Sequence, residues 1–402
     1  MKIVILNQYC LPCFAPTGRV AYLLGKELAD RGHKVTIISS KDSYNNNGVS
    51  ESMPKVDGLH IKSLFSFCLG GLRYKFKILD QFVYFILALS TLIFSILKYD
   101  IVITMTTPPF LGMLGYIINK LFKVKHVEWI MDLYPDALEA GNVMGEKNYG
   151  YKFLKHLQTK ILSNCDLVIA IGDCMLDRAK EYIDDYERLH SVPICFNSKM
   201  VNVNIKSIEK YRKEKGWNTN DLVIMYSGNM GLGHNFLEFL TAAKKLREHK
   251  NIKWVYAGAG RRRKEIASFK KNNSDINIEL MDYAPAELLN VHLASADVQL
   301  ISLRENWTGI IVPSKLLDVF AIGKPVIYCG GLNTSISKWI SEADGGWCFE
   351  EGNIDGIIDA VKEAENSNIR KKKGSNAKKI ALKHFNPTVN FNIICKLIEN
   401  VN

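Results

Sequence analysis

Short apolar runs rich in isoleucine and valine alternate along this chain with segments of helical period. A parallel sheet whose strands are buried on both faces, with helical crossovers, leaves that pattern. The first repeat of it predicts a strand at Lys2–Asn7, a loop carrying Pro12, Pro16 and Gly18, and a helix from about Arg19 to Arg31. Gly32-His33 closes that helix and Lys34–Ser39 is the next strand. Further strands are predicted at Ile101–Met105, His126–Met131 and Leu167–Ile171. A second series begins near Leu222, with strands at Leu222–Tyr226, Ile252–Ala257, Ile276–Leu280, Val298–Ile301 and Pro325–Tyr328. Between the series, Ser191–Lys206 has little periodicity, a proline and three asparagines, and reads as a linker. The expectation is an α/β chain of two doubly wound, Rossmann-like domains, residues 1–200 and 201–385, facing across a ligand cleft at the carboxyl ends of their strands. A last helix, Val389 to Val401, lies in a terminal segment, 386–402, that either stays with the second domain or returns to the first.

One apolar run does not fit a strand. Phe82–Leu97 is free of charge, with Asp80 and Lys98 at its ends and Arg73, Lys75 and Lys77 just upstream. As a helix it spans about 24 Å, short of the roughly 20 residues a bilayer core requires. Two readings stay open: a helix buried against the first sheet, or a helix whose outer face dips into a membrane beside a basic patch. A transmembrane span ranks third, because it would divide the first sheet.

Composition narrows the partners. At 402 residues with 47% apolar and 23% charged positions, the chain is long enough for two cores, and disordered or collagen-like readings are excluded. Lys and Arg number 52 against 41 Asp and Glu, a net charge of +11, which favours anionic partners: phosphorylated substrates, an anionic membrane face or nucleic acid. Zinc-finger spacing and basic-region helices are missing from the sequence, so nucleic acid ranks last. Nine unclustered cysteines do not form a disulfide framework. Met1–Asn7 is too short an apolar run for a signal peptide, which gives the cytosol as the expected address.

Three turns carry the candidate chemistry. Ser227-Gly228-Asn229-Met230-Gly231-Leu232-Gly233-His234 links a strand to a helix predicted at Phe236–Leu246; its glycines let backbone approach a phosphate at the helix N-terminus. Ala257-Gly258-Ala259-Gly260 leads into Arg261-Arg262-Arg263-Lys264, a solvated face from which one cation can reach a phosphate. In Trp307-Thr308-Gly309-Ile310-Ile311-Val312-Pro313-Ser314-Lys315, Pro313 and Ser314 start a helix at Leu316–Ile322 that Gly323 ends. Lys315 in the first turn opposes the helix dipole by about 0.3–1 kcal/mol unless an anion sits there, so it reads as a ligand residue. Asp318, one turn on, presents a carboxylate to two ribose hydroxyls, or else pairs with Lys315 at the surface.

These residues resemble the retaining glycosyltransferases of family 4, which have the GT-B fold. The likeness covers nearly the whole chain: Pro16-Thr17-Gly18, Leu28–Ile38, Thr106-Thr107-Pro108-Pro109 and Asp132-Leu133-Tyr134-Pro135-Asp136 in the first half, and Tyr226–Gly233, Ala257–Gly260, Ala294-Ser295-Ala296-Asp297 and Pro313–Val326 in the second. DLYPD and VPSKLLDVFAIGKPV look most like the bacterial surface-polysaccharide branch, which makes O-antigen and capsule and includes N-acetylfucosamine transferases. The resemblance implies a nucleotide-sugar donor, UDP-linked, held by the second domain through Gly228, Asn229, Gly231, Gly233, His234, Arg261, Ser314 and Lys315. Tyr283 would lie against the base, Asp318 on the ribose, and Trp307, Thr308 and Gly309 along the sugar. It implies an acceptor on a polyprenyl diphosphate, held in the first domain by Gly18, Arg19 and Asp136, with Asp132 and Lys315 as catalytic residues. No metal or other cofactor is implied, and the address becomes the inner face of the cytoplasmic membrane.

The sequence also departs from the family. Of its two glutamates eight positions apart, the second is Asp318 and the first is Ile310; its Arg and Lys after the first glycine turn correspond to about Asn229 and His234. Charge on the diphosphate then falls to Lys315, with an arginine of 261–263 or Arg304. Two other functions compete. A UDP-sugar epimerase of the same fold needs carboxylates and a histidine in the cleft; a non-catalytic subunit would only hold the nucleotide sugar. Cys10-Leu11-Pro12-Cys13 invites a redox reading that no second cysteine pair supports, and His33 reads as a structural hydrogen-bonding residue between helix and strand.

Overall fold

The computed structural model describes residues 1–11, 15–41, 55–66, 74–95 and 98–401. Pro12, Cys13, Arg73, Ile96 and Leu97 lie outside them. The chain divides into two compact units, Met1–Pro193 with Thr388–Asn402, and Ile194–Pro387.

In chain order the first unit comprises β1 (Lys2–Leu6), α1 (Pro16–Asp30), β2 (Lys34–Ser40), β3 (Leu59–Leu64), α2 (Tyr74–Ser95), β4 (Ile101–Met105), α3 (Gly112–Phe122), β5 (Lys125–Ile130), α4 (Asp136–Ala140), α5 (Tyr149–Ser163), β6 (Leu167–Ala170), α6 (Asp173–Ala179) and β7 (Leu189–Ser191). All neighbours pair in parallel, in the order β3-β2-β1-β4-β5-β6-β7. The order reverses between β1 and β4, so the loops after those strands splay apart and leave a crevice at their carboxyl ends. Ile3, Val4, Ile5 and Leu6 are fully buried, which is why β1 reads as an unbroken apolar run.

The second unit repeats the plan with α7 (Ile205–Glu214), β8 (Leu222–Ser227), α8 (Leu237–Lys245), β9 (Ile252–Ala257), α9 (Arg263–Asn272), β10 (Ile278–Met281), α10 (Leu289–Ala294), β11 (Val298–Leu303), α11 (Lys315–Ile322), β12 (Val326–Gly330), α12 (Ser335–Ala343), β13 (Gly346–Phe349), α13 (Ile354–Ala364) and α14 (Ser367–His384). Its parallel sheet runs β10-β9-β8-β11-β12-β13 and reverses between β8 and β11. Tyr226, Phe236, Trp254, Tyr256 and Ile327 anchor the core behind that reversal.

The last helix, α15 (Pro387–Glu399), packs in the first unit. Phe391 meets Trp129 edge-on at 6.5 Å, and Asn390 Nδ2 donates to the Pro193 carbonyl at 2.9 Å. At its end Glu399 receives Arg31 at 3.3 Å and His33 Nε2 at 2.9 Å, so His33 ties the helix to the bottom of the sheet.

Helix α2 buries Tyr84, Ala88 and Leu92 against the sheet and leaves the opposite stripe exposed; Tyr84 donates its hydroxyl to the Ile38 carbonyl at 2.8 Å. Among the described helices it alone, over Ile78–Ser95, is long and apolar enough to cross a membrane, and only 22% of that stretch is buried.

Candidate functional site

The crevice of the second unit is built from backbone. After β8 the chain turns at Gly228 (φ +144°), and after β9 at Gly258 (φ +126°) and Gly260 (φ +140°). The two turns lie directly on one another: a Cβ on Gly258 would stand 2.1 Å from the Gly228 carbonyl, and one on Gly260 would stand 2.4 Å from that of Met230. Gly228 N donates to the Ala257 carbonyl at 3.0 Å and Met230 N to that of Ala259 at 2.7 Å. Only glycine permits that approach. Gly233 is similarly closed in by Trp307, 3.1 Å from its would-be Cβ. Gly231 stands beside the Asn229 side chain.

Opposite these turns the loop from β11 ends at Ser314, the N-cap position of α11, and Lys315 is the first helical residue. Its ammonium lies 3.3 Å from the centre of the Tyr226 ring, and 3.7 Å from where a Gly228 Cβ would stand. The nitrogen is shut off from solvent and has no hydrogen-bond partner. Burial holds its pKa well below the ordinary lysine value. Tyr226 is fixed in turn, donating its hydroxyl to the Asn229 carbonyl at 2.7 Å. A cation on an aromatic face, desolvated and without a counter-ion, at a helix N-terminus and beside a glycine turn, has the chemistry to hold an anion.

His234 does not share the charge. It is buried, its Nδ1 bonds the Ser302 carbonyl at 2.6 Å, and burial, then the nearby Lys315 ammonium, push its pKa down to about 3, with Arg262 adding to the fall. At neutral pH it is an uncharged imidazole. Arg262 bonds the His234 carbonyl and Glu265, and Arg263 pairs with Asp282 at 2.9 Å, so these two cations of the basic run serve the fold. Arg261 is exposed.

Trp307 Nε1, Thr308 Oγ1 and Arg304 Nε are buried without partners, and Gly309 takes φ +75°. Tyr283 stands exposed over the Gly258 turn, its ring 3.2 Å from the would-be Cβ. The fold therefore gathers Gly228, Asn229, Gly233, His234, Tyr283, Trp307 and Lys315 around one crevice. Asp318 has a second engagement: its Oδ1 accepts the Asn197 N–H at 2.6 Å, which fastens the chain entering this unit to α11.

In the first unit, Gly18 packs α1 on the loop after β1, its would-be Cβ 3.1 Å from Cys10 N, and Arg19 follows it, half-buried. Asp132 N donates to Thr106 Oγ1 at 3.1 Å, and burial raises the Asp132 carboxyl to about 6. The expectation for Asp136 is corrected. Its side chain is fully buried, receives Arg178 Nε at 2.7 Å and is bonded by the Tyr182 hydroxyl, so it braces α4 against α6 and has no free face for an acceptor. Asp136→Ala is expected to cost about 3 kcal/mol by stranding those partners, read as a lowered Tm with ligand binding by the second unit unchanged.

Sequence reasoning missed three residues. Tyr226 counts as core in a strand pattern, yet its ring carries the lysine. Asn7 and Gln8, at the end of β1 beside the reversal, are buried with unpartnered side-chain oxygens; two amides directly after the first strand are the signal. Among the described residues no three His, Cys, Asp or Glu side chains gather as a metal site.

Comparison with known proteins adds the family. Residues 17–197 match the family model Glycosyltransferase Family 4, and residues 207–380 match Glycosyl transferases group 1. The chain is 24% identical over 248 residues to the probable glycosyltransferase WbjE of Pseudomonas aeruginosa, and 20% over 252 to the putative colanic acid biosynthesis glycosyl transferase WcaI of Escherichia coli K12. Each match spans 62% of either chain. Among solved structures, Anabaena HepE in complex with UDP superposes with a TM-score of 0.73 at 14% identity, covering all of both chains, a likeness of fold.

Proposed function

With a Glycosyltransferase Family 4 domain followed by a glycosyltransferase group 1 domain, the chain belongs to the glycosyltransferases of the GT-B type, and we propose that it is a retaining enzyme of bacterial surface-polysaccharide synthesis. It moves a sugar, an N-acetylamino sugar in this reading, from a UDP-linked donor to a glycan on polyprenyl diphosphate at the inner membrane face. The observation that carries the proposal is the buried, unpartnered Lys315 ammonium facing Gly228. UDP in the HepE complex and the colanic acid assignment of WcaI support the donor and the pathway class. The net charge of +11 suits a diphosphate-bearing acceptor.

In this reading the diphosphate sits on Lys315, Ser314 and the first turn of α11, with Tyr283 against the base, Asp318 toward the ribose and Trp307, Thr308 and Gly309 along the sugar. As the bond from the anomeric carbon to the phosphate oxygen breaks, the acceptor oxygen bonds the same face, and its proton passes to the leaving phosphate. Lys315 stabilises the charge that accumulates there, without a metal ion. Gly18, Arg19 and Asp132 serve the acceptor, with Asp132 taking a hydrogen bond from its hydroxyl.

A thermal-shift panel of UDP, GDP, ADP, CMP and NAD tests the donor. At 100 times its dissociation constant UDP adds about 2.7 kcal/mol, a shift of several degrees, and the other nucleotides add less. A response to NAD alone, or silence from all five, would overturn the proposal, and a response to UDP with neither transfer nor change of the donor sugar would favour a non-catalytic subunit. A response to UDP followed by inversion at C2 of the donor sugar, with no transfer, would favour the epimerase.

A further inference from the structure

We propose that the outer helical layer of the first unit is a docking face for an anionic bilayer, which α2 and α5 enter from the side without crossing. The inference deepens the reading of a membrane-borne acceptor and rests on it. Helix α3 touches both α2 and α5, and right-handed crossovers place the three on one face of the sheet.

Helix α2 supplies the hydrocarbon. Leu79, Phe82, Ile86 and Ile93 form its outward stripe, with Phe82 61% and Phe94 88% exposed. No charged residue occurs from Gln81 to Ser95. Ser90 and Ser95 turn their hydroxyls onto their own helix, donating to the Ile86 carbonyl at 2.9 Å and the Thr91 carbonyl at 2.6 Å. That stripe offers a protein partner little to bond and offers lipid a satisfied surface. The opposite stripe is locked into the sheet by Tyr84, Ala88 and Leu92, so the helix lies in the interface plane.

Helix α5 supplies the charge. Its outward stripe is Tyr149, Lys152, Phe153, His156 and Lys160, all exposed, Tyr149 at 89% and Phe153 at 65%. Aromatic and cationic side chains alternating on one helix face sit at the headgroup level of a bilayer. Beside the stripe, Lys152 and Lys155 line a cavity of about 340 Å³ together with Glu146, Tyr151, His156 and Thr159, and Lys155 pairs there with Glu181 at 3.4 Å, which leaves Lys152 and Lys160 as the cations turned to a headgroup. Lys152 and Lys160, on a chain of net charge +11, repel a second copy of this face and attract an anionic leaflet.

The test is co-sedimentation of the full chain with vesicles of phosphatidylcholine alone, or with a third phosphatidylglycerol, without donor or acceptor. The intact protein is expected to bind the anionic vesicles. Phe82→Gln with Phe94→Gln should weaken binding at least about tenfold. Lys152→Gln with Lys160→Gln should cost about fivefold per lysine at low salt, a difference that high salt removes. These side chains are exposed, so an unchanged Tm verifies folding. The inference is overturned if neither vesicle binds, if both variants bind as the intact protein does, or if the Phe82/Phe94 variant instead relieves self-association. A UDP shift on the same samples separates that failure from failure of the transferase reading.

Discussion

Lys315→Met is expected to abolish the response to UDP while leaving the ligand-free protein at least as stable as before. The wild-type ammonium has given up its water for the Tyr226 ring alone. Desolvating an ion costs several kcal/mol, and a desolvated cation–π contact returns about 2. Methionine keeps the length and the contact with the ring and removes the charge, so the apo Tm should hold or rise by a few degrees. With donor present the balance reverses. A charge-assisted hydrogen bond to a phosphate contributes about 1.5–3 kcal/mol to binding, and loss of one preorganised donor to developing charge slows turnover about 100- to 1,000-fold. A lowered apo Tm with UDP affinity intact would make Lys315 a pillar of the Tyr226 core and nothing more.

Gly258→Ala should be strongly damaging to the crevice of the second unit. Its Cβ would enter the Gly228 carbonyl at 2.1 Å from a residue at φ +126°. Strain of about 1–3 kcal/mol for the backbone and a similar amount for overpacking predict a loss of about 4 kcal/mol, and the displaced Gly228 turn should lose UDP binding as well. Gly352→Ala is the control: φ is +87°, with nothing within 4 Å of the added methyl, so only about 1–2 kcal/mol is expected. Equal losses in the two variants, measured by thermal melts, would mean that the turns do not lie backbone to backbone.

The central strands were legible in the sequence because they are buried on both faces. The edges were not: β3 is mostly exposed, β7 has three residues and β13 reads Gly-Trp-Cys-Phe, so none shows a long apolar run. Lys315 was legible because a cation in a first helical turn is a local conflict, visible without the fold. Asp136 was misread for the opposite reason. Arg178 and Tyr182, which consume it, lie 42 and 46 residues further on, and no local pattern reports such a pairing. Period alone left α2 undecided between core and surface, and the structure shows it as both, one stripe on each side.

Titration calorimetry of UDP at alkaline pH, repeated in buffers of different ionisation enthalpy, tests the central claim most directly. Burial holds the free Lys315 well below its ordinary pKa, and a diphosphate beside it raises that pKa again. Binding therefore takes up a proton in the window between the two values, and affinity falls as pH rises through it. The account predicts proton uptake in the wild type, and weak binding without uptake in Lys315→Met. Equal UDP affinity in both proteins, with no uptake in either, would contradict it.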